Sequence, residues 1–261
     1  MDLQLHGKKA LITGSTAGIG LAIATALARE GADVVVNGRT EARVAEAVAK
    51  VQAVATGAVS GIAVDAGTRA GADRLIAELG DMDILVNNLG IFDPKPFDQI
   101  PDEDWVRFFE VNVMSGVRLS RAFLPGMLQR NSGRIVFISS ESGYQIPAEM
   151  IHYGMTKSAQ IAVARGLAET TAGTAVTVNS VLPGPTRSEG LEVFADKLAA
   201  GKSFEEFERE FFRSVRPSSL LKRFETVEEI ASVVAFVCSP LAAAINGAAV
   251  RAEGGVIKSA F

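Results

Sequence analysis

The chain has 261 residues, of which 48% are hydrophobic and 21% charged, and a formal net charge of −4. That length suits one domain, or at most two, with apolar content enough for a large core. A weakly acidic chain gains nothing from a phosphate backbone, which argues against nucleic-acid binding, and the single cysteine, Cys238, excludes an internal disulfide or a cysteine-based metal cluster.

Residues 10–12 predict the first strand and 19–29 the first helix. Strand and helix then alternate: 33–36 with 40–54, 62–64 with 68–79, and 84–86 with a helix near 102–124. Residues 134–138 precede a helix over 153–170, and 175–181 form a strand rich in β-branched residues. A helix over 227–238 places Cys238 among apolar neighbours as a core thiol, and 248–250 form the last strand. Short strands between helices of ten or more residues are βαβ units. They predict an α/β fold: a doubly wound, Rossmann-like parallel sheet with helices on both faces, in a single domain.

One segment breaks the rhythm. Residues 188–222 hold no strand pattern and combine a charged stretch with five phenylalanines between Phe194 and Phe212. The expectation is a helical insertion over one end of the sheet, serving as a substrate lid, with its phenylalanines either walling the substrate or packing on one another. Two uncharged stretches, 10–28 and 230–250, approach the length of a membrane span. Glycines interrupt the first, and Pro240 with Asn246-Gly247 breaks the second, so both read as buried parts of a soluble fold. With no leader-like start and a lone thiol, the expected location is cytoplasmic.

The first strand runs into Thr13-Gly14-Ser15-Thr16-Ala17-Gly18-Ile19-Gly20. Glycines let the backbone turn sharply and let a phosphate approach, while the following helix offers free N–H groups and a partial positive charge. Gly14, Ser15, Thr16, Gly18, Ile19 and Gly20 are therefore candidate cofactor ligands. At the end of the second strand an NAD-selective site usually carries an acid for the ribose hydroxyls. Here the sequence is Asn37-Gly38-Arg39-Thr40. A guanidinium can grip a 2′-phosphate that a carboxylate would repel. Arg39, with a neutral hydrogen bond from Asn37, points to NADP(H).

Tyr153 and Lys157 stand at i and i+4, on one helical face. Ser140 lies thirteen residues before Tyr153, at the C-terminal end of a strand, where open α/β sheets bind ligands. A free phenol, with a pKa near ~10, is a poor base at neutral pH, and a neighbouring ammonium lowers it. Tyr153 then suits a general acid/base, Lys157 the ammonium beside it, and Ser140 a hydrogen bond to the substrate oxygen.

This constellation, with the Gly-x3-Gly-x-Gly turn, resembles the short-chain dehydrogenase/reductase family along nearly the whole chain. Asn87-Asn88-Leu89-Gly90 resembles the family's Asn-Asn-Ala-Gly segment, Leu89 being a departure. Asn112, Asp65 and Pro183-Gly184 match the family's helix asparagine, adenine-contacting aspartate and nicotinamide loop. The resemblance implies that Lys157 also holds the nicotinamide ribose and that Asn112 supports a water-linked proton path. It implies a threonine-type contact to the nicotinamide carboxamide, for which Thr186 and Ser188 both offer a hydroxyl, and a cofactor site including Asn88 and Gly90. A homotetramer, or a dimer, is implied as well, with 255–257 and Phe261 as candidate interface residues. The expected activity is NADP(H)-dependent interconversion of a carbonyl and an alcohol, as in ketone or 3-oxoacyl reduction. An alcohol dehydrogenase working oxidatively and a non-catalytic cofactor-binding regulator are the alternatives. His152 adjoins Tyr153 but faces elsewhere on a helix and is expected to be structural.

Overall fold

In the computed structural model, which describes residues 1–189, 191 and 203–260, near-continuous apolar runs build a sheet that is buried on both faces. The strands are β1 (Lys9–Ile12), β2 (Asp33–Gly38), β3 (Val59–Ala63), β4 (Ile84–Asn87), β5 (Gly133–Ile138), β6 (Val176–Pro183), β7 (Thr186–Arg187), β8 (Glu225–Thr226) and β9 (Ala249–Ala252). Seven form one all-parallel sheet in the order β3-β2-β1-β4-β5-β6-β9, while β7 and β8 make a separate two-residue parallel pair. Parallel neighbours require helical crossovers, and these cover the faces. They are α1 (Gly18–Arg29), α2 (Glu41–Gln52), α3 (Arg69–Leu79), α4 (Asp102–Phe109), α5 (Ser115–Gln129) and α6 (Ile151–Glu169), followed by α7 (Phe204–Ser214) and α8 (Val227–Cys238).

Adjacent strand residues serve opposite cores. Ile12, Val36, Val86 and Val136 pack with Ile23 and Leu27 of α1 and with Ile230 and Val234 of α8. Their neighbours Leu11, Val35, Leu85 and Ile135 pack with Leu75 of α3, Leu119 and Met127 of α5, and Ala164 of α6. The order reverses between β1 and β4, so a crevice opens beyond their carboxyl ends. Among the described residues no helix is long and apolar enough to cross a membrane.

Three expectations change. The third strand is Val59–Ala63, three residues earlier than its apolar signal, because it is an edge strand aligned on β2 from Val34 onward. The helix expected over 102–124 is two helices, α4 and α5, joined by a π turn at Glu110–Met114, and α5 continues through Pro125 to Gln129. Val256 and Ile257, expected at a subunit interface, are buried in the interior of this same chain; Phe261 lies outside the described residues.

Of the 188–222 insertion, residue 190 and residues 192–202, with Phe194, lie outside the described residues. Its described part contains α7, which starts with a capping box between Ser203 and Glu206. Phe204, Phe207, Phe211 and Phe212 form one ring cluster with Phe224. His152 is fully buried between Phe108 and Trp105, and neither ring nitrogen has a partner among the described residues. Desolvation lowers its pKa, so it packs as a neutral aromatic ring.

Candidate active site

After β1 the chain turns through Gly14 and Gly18 at φ of 61° and 55°, the left-handed region that favours glycine. Gly20 answers a different need: a Cβ there would lie 2.5 Å from the Gly14 carbonyl oxygen. Helix α1 starts at Ala17 with no side-chain cap and no acid in its first turn. α8, by contrast, is closed by a Thr226–Glu229 capping box. The first amides of α1 are therefore open to an anion. A glycine turn, an uncapped helix start and the strand-order reversal together fit the pyrophosphate of a dinucleotide.

Several residues expected at the cofactor build its cradle instead. Ser15 is buried, donating to the Ile12 carbonyl and accepting from the Asn37 amide. Asn37 is 1% exposed. Its Nδ2 donates to the Ile62 and Val64 carbonyls at 3.2 and 3.1 Å, and its Oδ1 accepts from the Gly14 amide. That side chain ties β2 to β3 and to the glycine turn, which removes it as a phosphate ligand. Asn88 likewise donates to the Thr13 and Gly14 carbonyls. Thr16 packs where a Cβ on Gly38 would otherwise stand. Arg39 is exposed at the end of β2. Asp65 is exposed after β3 and accepts from the Gly67 amide.

Ser140, Tyr153 and Lys157 come together in a cleft of about 720 Å³ at the C-terminal edge of the sheet. Ile19, Asn88, Gly90, Pro183, Gly184, Thr186 and Ser188 also line it, as do Phe92, Phe207 and Phe211. β5 delivers Ser140, which caps a short turn by accepting from the Ser142 amide at 3.1 Å. α6 presents Tyr153 and Lys157 on one face, with Lys157 Nζ 5.5 Å from the centroid of the Tyr153 ring. Phe92 meets that ring edge-on. The Thr186 hydroxyl donates to the Gly184 carbonyl within its own loop. Ser188 accepts from the Leu191 amide and stands closest to Gly18.

Electrostatics here follow burial more than pairing. Burial pushes the Tyr153 phenol up to about 12, a hydrogen bond with Ser140 pulling the other way. Burial also draws the Lys157 ammonium down to about 7. The expectation that Lys157 lowers the phenol is not met in this geometry. Its Nζ donates to the Ile138 carbonyl at 2.9 Å and to Gln160 Oε1 at 3.1 Å rather than to the phenol. The phenol is protonated at neutral pH, and its burial makes it a weaker acid than a free phenol.

Asn112 sits in the π turn, fully buried. Its side chain exchanges two hydrogen bonds with the Ile91 backbone and donates to Thr156 Oγ1. Sequence reasoning missed Gln160, Glu141, Arg216 and Glu225. Arg216 binds Glu141 and Glu149 at 2.9 Å each along the cleft wall. Glu141 Oε2 is buried with no partner among the described residues, and burial raises this carboxyl. Glu225 Oε2 accepts from the Gly184 amide at 3.0 Å, anchoring the loop after β6.

Residues 8–198 match the family described as short chain dehydrogenase. A Bacillus subtilis protein named uncharacterized oxidoreductase YvaG is 48% identical over 264 aligned positions, covering 100% of both chains. D-beta-hydroxybutyrate dehydrogenase of Cupriavidus necator is 34% identical, over 97% of this chain and 98% of its own. The L-sorbose reductase of Gluconobacter frateurii, solved with NADPH and L-sorbose, superposes with a TM-score of 0.92 at 33% identity, over 99% of this chain and 100% of its own. A site built at the strand-order reversal, carried on this sheet and matched over this length, makes the chain a member of the short-chain dehydrogenase family, an oxidoreductase of carbonyl and alcohol groups.

Proposed function

We propose that this protein is an NADP(H)-dependent reductase of a small-molecule ketone or 3-oxoacyl substrate, with Tyr153 as general acid. The observation that carries the reading is the meeting of Ser140, Tyr153 and Lys157 in one cleft beside the glycine turn. When bound, the nicotinamide supplies the hydride. The chain's residues do the rest. Ser140 holds the carbonyl oxygen, and the Tyr153 phenol, protonated at neutral pH, gives that oxygen its proton. Lys157 holds the nicotinamide ribose.

Arg39 supports NADP(H). It stands exposed at the end of β2, where no acid is present to repel a 2′-phosphate. The L-sorbose reductase solved with NADPH lends the same support. The 188–222 segment acts as the lid, with Phe207 and Phe211 forming an apolar wall of the cleft while belonging to the ring cluster. The test is oxidation of NADPH and of NADH, followed by absorbance, against a panel of ketones, ketoses and 3-oxoacyl thioesters. Turnover on no carbonyl with either cofactor would overturn the reading.

A further inference from the structure

A π turn widens the helical ring by one residue and releases a carbonyl from the ordinary ladder. Within the turn at Glu110–Met114, the Asn112 carbonyl accepts from Gln160 Nε2 at 2.6 Å. The other end of the same amide, Gln160 Oε1, accepts from Lys157 Nζ at 3.1 Å. Gln160 lies one turn beyond Lys157 on α6 and is 1% exposed. One side chain therefore joins the two groups that the family resemblance links through water.

We propose that Gln160 is a positioning residue that clamps the Lys157 amine between the Ile138 carbonyl and its own amide oxygen, while its amide nitrogen ties that clamp to the Asn112 carbonyl. This rests on the reading of Lys157 as the ribose-holding cation. The two acceptors fix two of the amine's hydrogen-bonding directions and leave the third for the cleft. An amide neither gains nor loses a proton near neutral pH, so it holds Asn112 without relaying through it. Asn112 has little freedom to respond, because the Ile91 backbone grips its side chain from both sides.

The ionisable groups facing this cluster are few. Tyr153 shares α6 with Lys157, and Glu141 and Arg216 act on the phenol from the far wall. Asn112, Thr156 and the Ile138 carbonyl are neutral, and burial draws the Lys157 amine down with no charged neighbour acting on it. The Gln160 oxygen favours the charged amine, and a carboxylate in its place favours it more.

The experiment compares wild type, Gln160→Met and Gln160→Glu. All three are checked for folding by thermal melting. The Lys157 amine is then titrated without cofactor by NMR of 13Cε-labelled lysine, its resonance assigned with Lys157→Met. The expected result is a lower midpoint in Gln160→Met and a higher one in Gln160→Glu. With NADPH and an accepted carbonyl, kcat of Gln160→Met falls about tenfold, the weight of one hydrogen bond to a charged group, while the substrate KM changes little. Equal midpoints in the three proteins would overturn the clamp, whatever the activity. Midpoints that separate as expected, in a wild type that reduces no carbonyl, would keep the clamp and overturn the proposed function instead.

Discussion

Arg216 Nε donates to Glu141 Oε1 at 2.9 Å, with the two side chains only 8% and 4% exposed. A residue just past α7 and the neighbour of Ser140 thus form one buried ion pair across the cleft wall. Replacing Arg216 with Met leaves the Glu141 carboxylate dry and without its cation. Losing one partner of such a pair costs ~3–5 kcal/mol, or roughly 10 °C in Tm for a domain of this size. Thermal denaturation of Arg216→Met measures it. Adding Glu141→Gln recovers most of the loss, because the uncompensated charge is what destabilises. A variant that melts with the wild type would show that the pair carries no weight.

Tyr153→Phe keeps the ring and its edge contact with Phe92 and deletes the transferable proton. Turnover drops by at least ~10²-fold, the usual scale of a general acid, while the NADPH dissociation constant stays within about twofold. Steady-state rates and cofactor fluorescence titration separate the two quantities. Retained turnover would remove Tyr153 from the mechanism.

The proposed NADP(H) preference predicts that cofactor choice depends on Arg39, whereas Asn37, bonded inside the fold, governs stability. Arg39→Ala weakens NADPH by roughly ten- to a hundred-fold, the value of a charge-assisted contact, and leaves NADH almost unchanged. Asn37→Asp behaves differently. It sets a carboxylate against the Ile62 and Val64 carbonyls that the amide now serves. The protein is destabilised by ~1–3 kcal/mol as a buried polar group loses its partners. Dissociation constants for both cofactors at fixed ionic strength, with melting curves, check both statements. Equal weakening of NADPH and NADH in Arg39→Ala would refute the 2′-phosphate contact.

Stability should decline as pH rises through neutrality, in part because of Glu225. Burial raises its carboxyl from 4.5 to about 7, with the Gly184 amide pulling the other way. The folded state therefore holds this proton more tightly than the unfolded chain does. The contribution is fully present below pH 4.5 and is lost as pH climbs through about 7. Glu225→Gln keeps an acceptor for the Gly184 amide and removes the ionisation. Its Tm should exceed the wild type's at pH 8 and match it near pH 4.5, and a parallel Tm profile for the two proteins would contradict the assignment.

What was legible in the sequence follows the range of each interaction. Alternating apolar pairs such as Leu11 with Ile12, and Leu85 with Val86, announce a sheet buried on both faces, and they found it. The spacing of Ser140, Tyr153 and Lys157 is local to one strand and one helix, so those three converge as expected. The π turn carries no glycine or proline; it exists because Asn112 bonds Ile91 and Gln160, 21 and 48 residues away. Arg216 meets Glu141 across 75 residues, a pairing no local pattern encodes. Asn37 was read by its position at the end of β2, which says where its backbone lies but not that its amide turns inward.

The two-residue pairing of β7 with β8 has a consequence for how this protein can diversify. Thr186 is held beside Glu225 and Arg187 beside Thr226, so the chain that leaves β7 returns at β8 to nearly the same place. Such a segment is a cassette with fixed ends. Lengthening a loop whose ends are already joined costs only about 0.6 kcal/mol for each doubling. Away from Arg216, whose ion pair with Glu141 ties the segment to the cleft wall, insertions there are felt more by whatever enters the cleft than by the seven-stranded sheet. Grafting the equivalent stretch of a relative between these two strands should exchange substrate preference while leaving the glycine turn, and the cofactor it accepts, as they are.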